Sequence, residues 1–275
     1  MNETGTEPTR VLVTGGTSGL GLRLVKVFLN QGFEVTATGR KPVTLFENAE
    51  RFTFLAVDFS NLKNTVDAVK ELCRNSRFDI VVNNAGVLSP PDLMLTNDGF
   101  EYTFQVNFLS HLIMDEIILS KAKTGQSITI VTITSLVYRI ANPDLNIRIS
   151  ESDYRPLKAY ANSKLYLALM VLWLPQKYPS LNLRCIAFDP GIFSSGIYRM
   201  QKKYFRIMYR IGSPFMSRPE KTARRIGKLL ESDDLTSGMI YRSSTRKKRI
   251  FEADKIQDKT FWEDCYRMIG PFLAW

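Results

Sequence analysis

Tyr160 and Lys164 stand four residues apart in the run Tyr160-Ala161-Asn162-Ser163-Lys164. On a helix that spacing places a phenol and an ammonium on one face. A phenol, with a reference pKa of about 10, is a poor acid or base at neutral pH. A nearby ammonium favours phenolate and lowers that value, which suits the pair to moving a proton to or from an oxygen. Ser135 follows the apolar run Ser127–Ile133 and lies 25 residues before Tyr160. Its hydroxyl is suited to hydrogen-bond a carbonyl or alcohol oxygen. By itself, a Tyr and a Lys at this spacing recur by chance in many helices.

A second constellation is Thr14-Gly15-Gly16-Thr17-Ser18-Gly19-Leu20-Gly21, between a strand-like run and a helical one. Glycines permit a tight turn and let a pyrophosphate approach the backbone, and the following helix N-terminus offers free N–H groups. Gly15, Gly19 and Gly21 fit that role, with Thr17, Ser18 and Leu20 beside them. The next strand ends Thr38-Gly39-Arg40-Lys41, with no carboxylate until Glu47. A site for NAD usually has an acidic residue there for the ribose 2′-OH. Two adjacent cations suit a 2′-phosphate instead. The expected cofactor is NADP(H).

The elements that must hold these groups alternate. Strands are expected at Arg10–Thr14, Phe33–Thr38, Phe52–Val57, Asp79–Asn83, Ser127–Ile133, Leu183–Phe188 and Gly238–Ser243. Helices are expected at Ser18–Gln31, Leu62–Cys73, Gly99–Lys121, Leu157–Tyr178, Pro219–Glu231 and Ile256–Ile269. Apolar strands alternating with helices mean a parallel sheet covered on both faces. No linker or repeat divides the 275 residues, so one domain is expected over 1–275, with an insert at 196–217 and a C-terminal extension at 250–275.

Composition narrows the function classes. With 44% hydrophobic and 23% charged residues the chain reads as an ordinary globular protein. One His rules out a His-rich metal site, and no metal is expected. Three scattered Cys argue for a reducing compartment. There is no signal-peptide pattern and no run of about 18 apolar residues. The expected location is cytoplasmic, with a peripheral contact at a membrane surface as an addition discussed below. The formal charge is +10, and residues 196–275 hold 18 Lys/Arg against 9 Asp/Glu. Neither a nucleic-acid fold signature nor aromatic-basic interleaving accompanies that excess, so no nucleic-acid partner is expected.

In combination these motifs resemble the short-chain dehydrogenase/reductase family. The resemblance rests on Thr14–Gly21, Asp58, the Asn83–Gly86 run, Asn107, Ser135, Tyr160–Lys164 and Pro190-Gly191, in that order. It implies a doubly wound α/β Rossmann fold with a seven-stranded parallel sheet. It further implies that Tyr160 exchanges a proton with the substrate oxygen. Lys164 would lower the Tyr160 pKa and hold the nicotinamide ribose, and Ser135 would orient the substrate oxygen. Asn107 would hold a water linking Lys164 to solvent. Asp58 and Phe59 would meet the adenine, and Asn84, Ala85 and Gly86 its ribose. Pro190, Gly191 and Ile192 would lie against the carboxamide. Where the family often has Thr, this chain has Ser195, preceded by Ser194. With Pro42 and only 18 residues from Arg40 to Asp58, the helix between those strands must be short or partly unwound. Pairing of two copies through the helices containing Asn107 and Tyr160 is also implied, although monomeric and membrane-attached relatives exist.

Within the family, Asn107–Leu112 and the C-terminal layout resemble the retinol dehydrogenase and protochlorophyllide reductase-like branch, which implies a large apolar substrate. In 197–211, Ile197, Met200, Tyr204, Met208 and Ile211 alternate with Arg199, Lys202, Lys203, Arg206 and Arg210. That stretch reads as an amphipathic cationic helix. A lid over the substrate, a membrane-surface contact and an ordinary packed helix all fit. His111, one turn after Asn107, reads as a buried structural histidine. The expected function is an NADP(H)-dependent oxidoreductase of carbonyls and alcohols. A catalytically idle nucleotide-binding relative is the alternative, and Asn107, Ser135, Tyr160 and Lys164 together argue against it.

Overall fold

The structure, a computed structural model, describes residues 7–141, 150–191, 218–232, 235–242, 249–250 and 259–273. Seven parallel strands form its sheet: β1 (Arg10–Val13), β2 (Glu34–Gly39), β3 (Phe52–Ala56), β4 (Ile80–Asn83), β5 (Ser127–Ile133), β6 (Asn182–Asp189) and β7 (Met239–Arg242). Their spatial order is β3-β2-β1-β4-β5-β6-β7, so the winding reverses between β1 and β4. In open α/β sheets, ligands bind at the carboxyl ends of the strands beside such a reversal. A two-residue strand, β8 (Arg249–Ile250), adds antiparallel to β7. Two residues are too few for any periodicity to announce it.

The helices are α1 (Gly19–Asn30), α2 (Leu62–Asn75), α3 (Tyr102–Phe104), α4 (Ser110–Ser120), α5 (Pro156–Lys177), α6 (Pro219–Leu230) and α7 (Lys259–Leu273). A π turn, Gln105–Leu109, joins α3 to α4. The helix expected over Gly99–Lys121 therefore starts later and is not uniform. Gly99 has φ +84°, and Leu95 and Glu101 form an antiparallel bridge. The Glu101 carboxylate then accepts from the Thr103 and Phe104 N–H groups and starts the helix at Tyr102. Between β2 and β3 a 3₁₀ turn, Thr44–Phe46, takes the place of a helix, as the short spacing requires.

Burial follows sheet position. The inner strands β1 and β4 are almost wholly buried, but β3 is the sheet edge and its residues are half-buried or exposed. One apolar layer lies under α1 and α6, and the other under α2, α4, α5 and α7. On α7, Phe261 and Trp262 dock the helix on the body. Trp262 stacks on Trp173 at 4.9 Å, and Phe261 lies 4.9 Å from Tyr166. A polar contact completes the joint: the buried Glu116 carboxylate accepts from Lys177 Nζ (2.5 Å), the Tyr178 hydroxyl (2.7 Å) and the Tyr266 hydroxyl (2.7 Å). Among the described residues no helix is long and apolar enough to cross a membrane.

Candidate active site

The described site residues expected from the sequence lie at the carboxyl ends of β1 to β6 and on the helices facing them. Helix α5 opens with Pro156 in its first turn, where a missing N–H costs nothing. It then runs unbroken through Tyr160 and Lys164, both buried. The Lys164 ammonium lies 5.8 Å from the centre of the Tyr160 ring. It donates to the main-chain oxygen of Ile133 at 3.0 Å. Burial pushes Lys164 down to about 8. From the other direction, the Thr134 hydroxyl donates to the Lys164 main-chain oxygen at 2.9 Å. The end of β5 thus grips α5 at the lysine. Ser135 follows at once and caps the 3₁₀ turn Leu136–Ile140, its Oγ accepting from the Val137 N–H at a long 3.5 Å. That turn packs on α5.

Asn107 sits inside the π turn and is fully buried. Its Oδ1 accepts from the Val87 N–H at 2.7 Å. Its Nδ2 donates to the Val87 oxygen at 2.9 Å and to Ser163 Oγ at 3.0 Å. Both amide hydrogens are therefore committed to α5 and to the segment after β4. A side chain added at Gly86 would lie 3.2 Å from Asn107 Oδ1 and 3.4 Å from Lys164 Nζ, so the glycine lets this segment reach both.

The glycine turn is built for close approach. Gly15 has φ +63°, and a Cβ there would meet the Ala85 backbone at 2.9 Å. A Cβ on Gly21 would lie 2.2 Å from the Gly15 oxygen. The Asn84 amide donates to the Thr14 oxygen at 2.8 Å, and the Asn84 and Ala85 N–H groups both reach Thr14 Oγ1 at 2.9 Å. Ser18 precedes α1 without a side-chain cap, and no acidic residue stands in the first turn. The first N–H groups of α1 are thus left for an anion. Leu20 is buried, and Thr17 lies against Gly39.

At the far end, Arg40 and Lys41 are exposed, and no carboxylate of the described residues pairs with either. Asp58 is half-buried, and its Oδ1 accepts from Ser60 N (3.0 Å) and Ser60 Oγ (2.7 Å). Phe59 is buried. Tyr102, missed in the sequence, belongs to this end. Burial raises its phenol, Arg40 opposes that rise and Asp58 adds to it. No motif marked it, because α3 brings it there by tertiary contact. Asp189, also missed, holds the Pro190-Gly191 turn. Its Oδ1 accepts from the Gly191 N–H at 3.0 Å, and its other oxygen faces Arg242 at 3.3 Å. Ile192, Ser194, Ser195 and the 196–217 insert lie outside the described residues. Among the described residues no cluster of three His, Cys, Asp or Glu could hold a metal ion.

The family model of short chain dehydrogenases matches residues 9–204. Polyprenol dehydrogenase of Homo sapiens is 29% identical over 212 residues, covering 70% of this chain and 63% of that protein. The chain thus spans less than two thirds of that relative. Retinol dehydrogenase 13 of Mus musculus is 26% identical over 295 residues, covering 96% of this chain and 84% of that protein. Among solved structures, an alcohol dehydrogenase from Thermococcus sibiricus matches with a TM-score of 0.63 at 19% identity, over 89% of this chain and 100% of that one. A short-chain dehydrogenase from Streptomyces avermitilis matches with a TM-score of 0.65 at 16% identity, over 98% and 97%. The chain belongs to the short chain dehydrogenase family.

Proposed function

We propose that the protein interconverts a carbonyl and an alcohol on a large apolar substrate, using NADP(H), with Tyr160 as acid and base. The observation that carries this is the buried Lys164 ammonium beside the Tyr160 ring, tethered to the Ile133 oxygen. An ammonium held there suits a phenol that gives and takes a proton.

The residues fit the cofactor. The Gly15–Gly21 turn and the uncapped start of α1 suit a pyrophosphate. Arg40 and Lys41 suit a 2′-phosphate, and Tyr102 and Asp58 flank the adenine end. Asn84, Ala85 and Gly86 would hold the ribose, and the Asp189-held turn at Pro190-Gly191 would take the carboxamide. The chemistry that cofactor would supply there is hydride transfer to or from the carbonyl carbon. Tyr160 gives its proton to the carbonyl oxygen, or takes it back in the reverse direction. Ser135 holds that oxygen by a hydrogen bond. Lys164 stabilises the phenolate and would hold the nicotinamide ribose, and Asn107 fixes the segment after β4 and Ser163 of α5 around it.

Two of the relatives, a retinol dehydrogenase and a polyprenol dehydrogenase, are named for large apolar alcohols, which supports that substrate class. The Thermococcus structure was solved with 5-hydroxy-NADP, which supports the cofactor class. The test is a screen of apolar aldehydes and ketones with NADPH, followed by loss of reduced-nicotinamide absorbance. Turnover of long-chain or retinoid-like carbonyls is expected, and turnover of small polar carbonyls alone would contradict the proposal.

A further inference from the structure

We infer that His111 is a positioning residue of the active site, its ring joining the glycine turn to Asn107. This rests on the functional reading above. His111 is fully buried on the apolar helix α4. Its Nδ1 lies 2.8 Å from the Asn107 main-chain oxygen, and its Nε2 lies 2.9 Å from Thr14 Oγ1. A carbonyl can only accept, so Nδ1 carries the hydrogen. In a neutral ring Nε2 then accepts, and the Thr14 hydroxyl donates to it.

That assignment completes Thr14. Its two lone pairs receive the Asn84 and Ala85 N–H groups at 2.9 Å each, and its hydrogen goes to His111. The alternative acceptor for that hydrogen, the Val82 oxygen, is farther away at 3.3 Å. A second N–H on the ring would face a hydroxyl whose lone pairs are already used. Burial keeps the ring neutral, lowering its pKa to about 4, and Lys164 is the charged group that adds to this. Phe59 covers the ring at 5.1 Å.

The partners are what distinguish this from packing. Asn107 lies in a π turn, where backbone bonds run to i+5 and the usual pairing is displaced. The ring supplies its carbonyl with a donor and so fixes the turn from which Asn107 reaches Ser163 and Val87. The other nitrogen orients the hydroxyl that fixes Asn84 and Ala85. A leucine or phenylalanine would fill the same space and do neither.

Two substitutions separate the halves. In His111→Asn the amide stands near the Nδ1 position, keeping the Asn107 bond and giving up Thr14. In His111→Gln it reaches the Nε2 position, keeping Thr14 and giving up Asn107. Three quantities are read: hydrogen exchange of the Asn84 and Ala85 amides, the Kd for NADPH, and the pH profile of kcat. The Asn variant is expected to speed that exchange and raise the Kd about fivefold, the size of one neutral hydrogen bond, with the pH profile kept. The Gln variant is expected to keep exchange and Kd but lower kcat about fivefold and displace its pH profile. Both variants losing thermal stability alone, with exchange, Kd and pH profile as in the wild type, would overturn the inference. A wild type that binds neither NADPH nor NADH would fail the functional reading instead, while the exchange comparison still judges His111.

Discussion

The Lys164 ammonium donates to the main-chain oxygen of Ile133 at 3.0 Å, tying the middle of α5 to the last residue of β5. It does so while almost wholly buried, and burial lowers its pKa to about 8 from a reference of 10.5. The native state therefore releases this proton more readily than the unfolded chain. Between about pH 8 and 10.5 the unfolded chain holds more protons, so this group's contribution to stability rises with pH through that window. Below it, the buried charge is carried at full cost. Lys164→Met removes the titration. Urea unfolding of both proteins at pH 7 and at pH 9.5 checks this: the wild type should gain on the variant at the higher pH. A gap independent of pH would contradict the assignment.

Arg40 and Lys41 stand exposed where the adenine ribose is expected. Arg40→Asp removes one cation and supplies a carboxylate suited to a 2′-OH. NADPH binding should weaken by about tenfold or more and NADH binding should strengthen, since a charge-assisted bond to phosphate contributes ~1.5–3 kcal/mol. Titrations with both nucleotides decide it, and equal affinities before and after the change would remove Arg40 from the site.

Gly21 has no room for a side chain, with the Gly15 oxygen 2.2 Å from where its Cβ would stand. Gly21→Ala must push the glycine turn off its course. The expected result is NADPH affinity reduced by more than about tenfold, together with a loss of ~1–3 kcal/mol in stability from overpacking. Isothermal titration and a denaturant melt measure the two effects separately. Retained affinity would show that the turn does not bind the nucleotide.

Trp262 is 3% exposed and stacks on Trp173 with an interplanar angle of 6°. Trp262→Ala should cost ~3–5 kcal/mol of stability. It should also expose Trp173, seen as a red shift in fluorescence. A change below about 1 kcal/mol would mean that α7 is not held by this contact.

Much of this architecture is legible in the residues alone because its signals are local. The helix expected over Leu157–Tyr178 forms as Pro156–Lys177, since proline starts it and apolar spacing continues it. The short Arg40–Asp58 spacing, with Pro42, foretold a short or partly unwound helix, and the segment shrinks to a 3₁₀ turn. The burial of His111 was foreseen from its apolar helix. Its two partners were not, because Thr14 is 97 residues away and only the fold brings it close. The π turn at Gln105–Leu109 leaves no mark on hydrophobic spacing, since every residue in it is buried. Asp189 lies one residue past the strand expected at Leu183–Phe188, and only the Gly191 φ of +72° and the nearby Arg242 reveal what its carboxylate holds. Tyr102 stayed hidden for the same reason, being placed by contact with distant charges.

The central claim is that the Tyr160 hydroxyl moves the proton. Tyr160→Phe deletes that oxygen and leaves the ring in its buried place. The measurement is single-turnover oxidation of NADPH with an apolar aldehyde that the wild type reduces, alongside the Kd for NADPH. The account predicts a rate at least about a thousandfold lower, within the range of general acid catalysis, with a Kd within about twofold of the wild type. A variant that still turns over at the wild-type rate would contradict it.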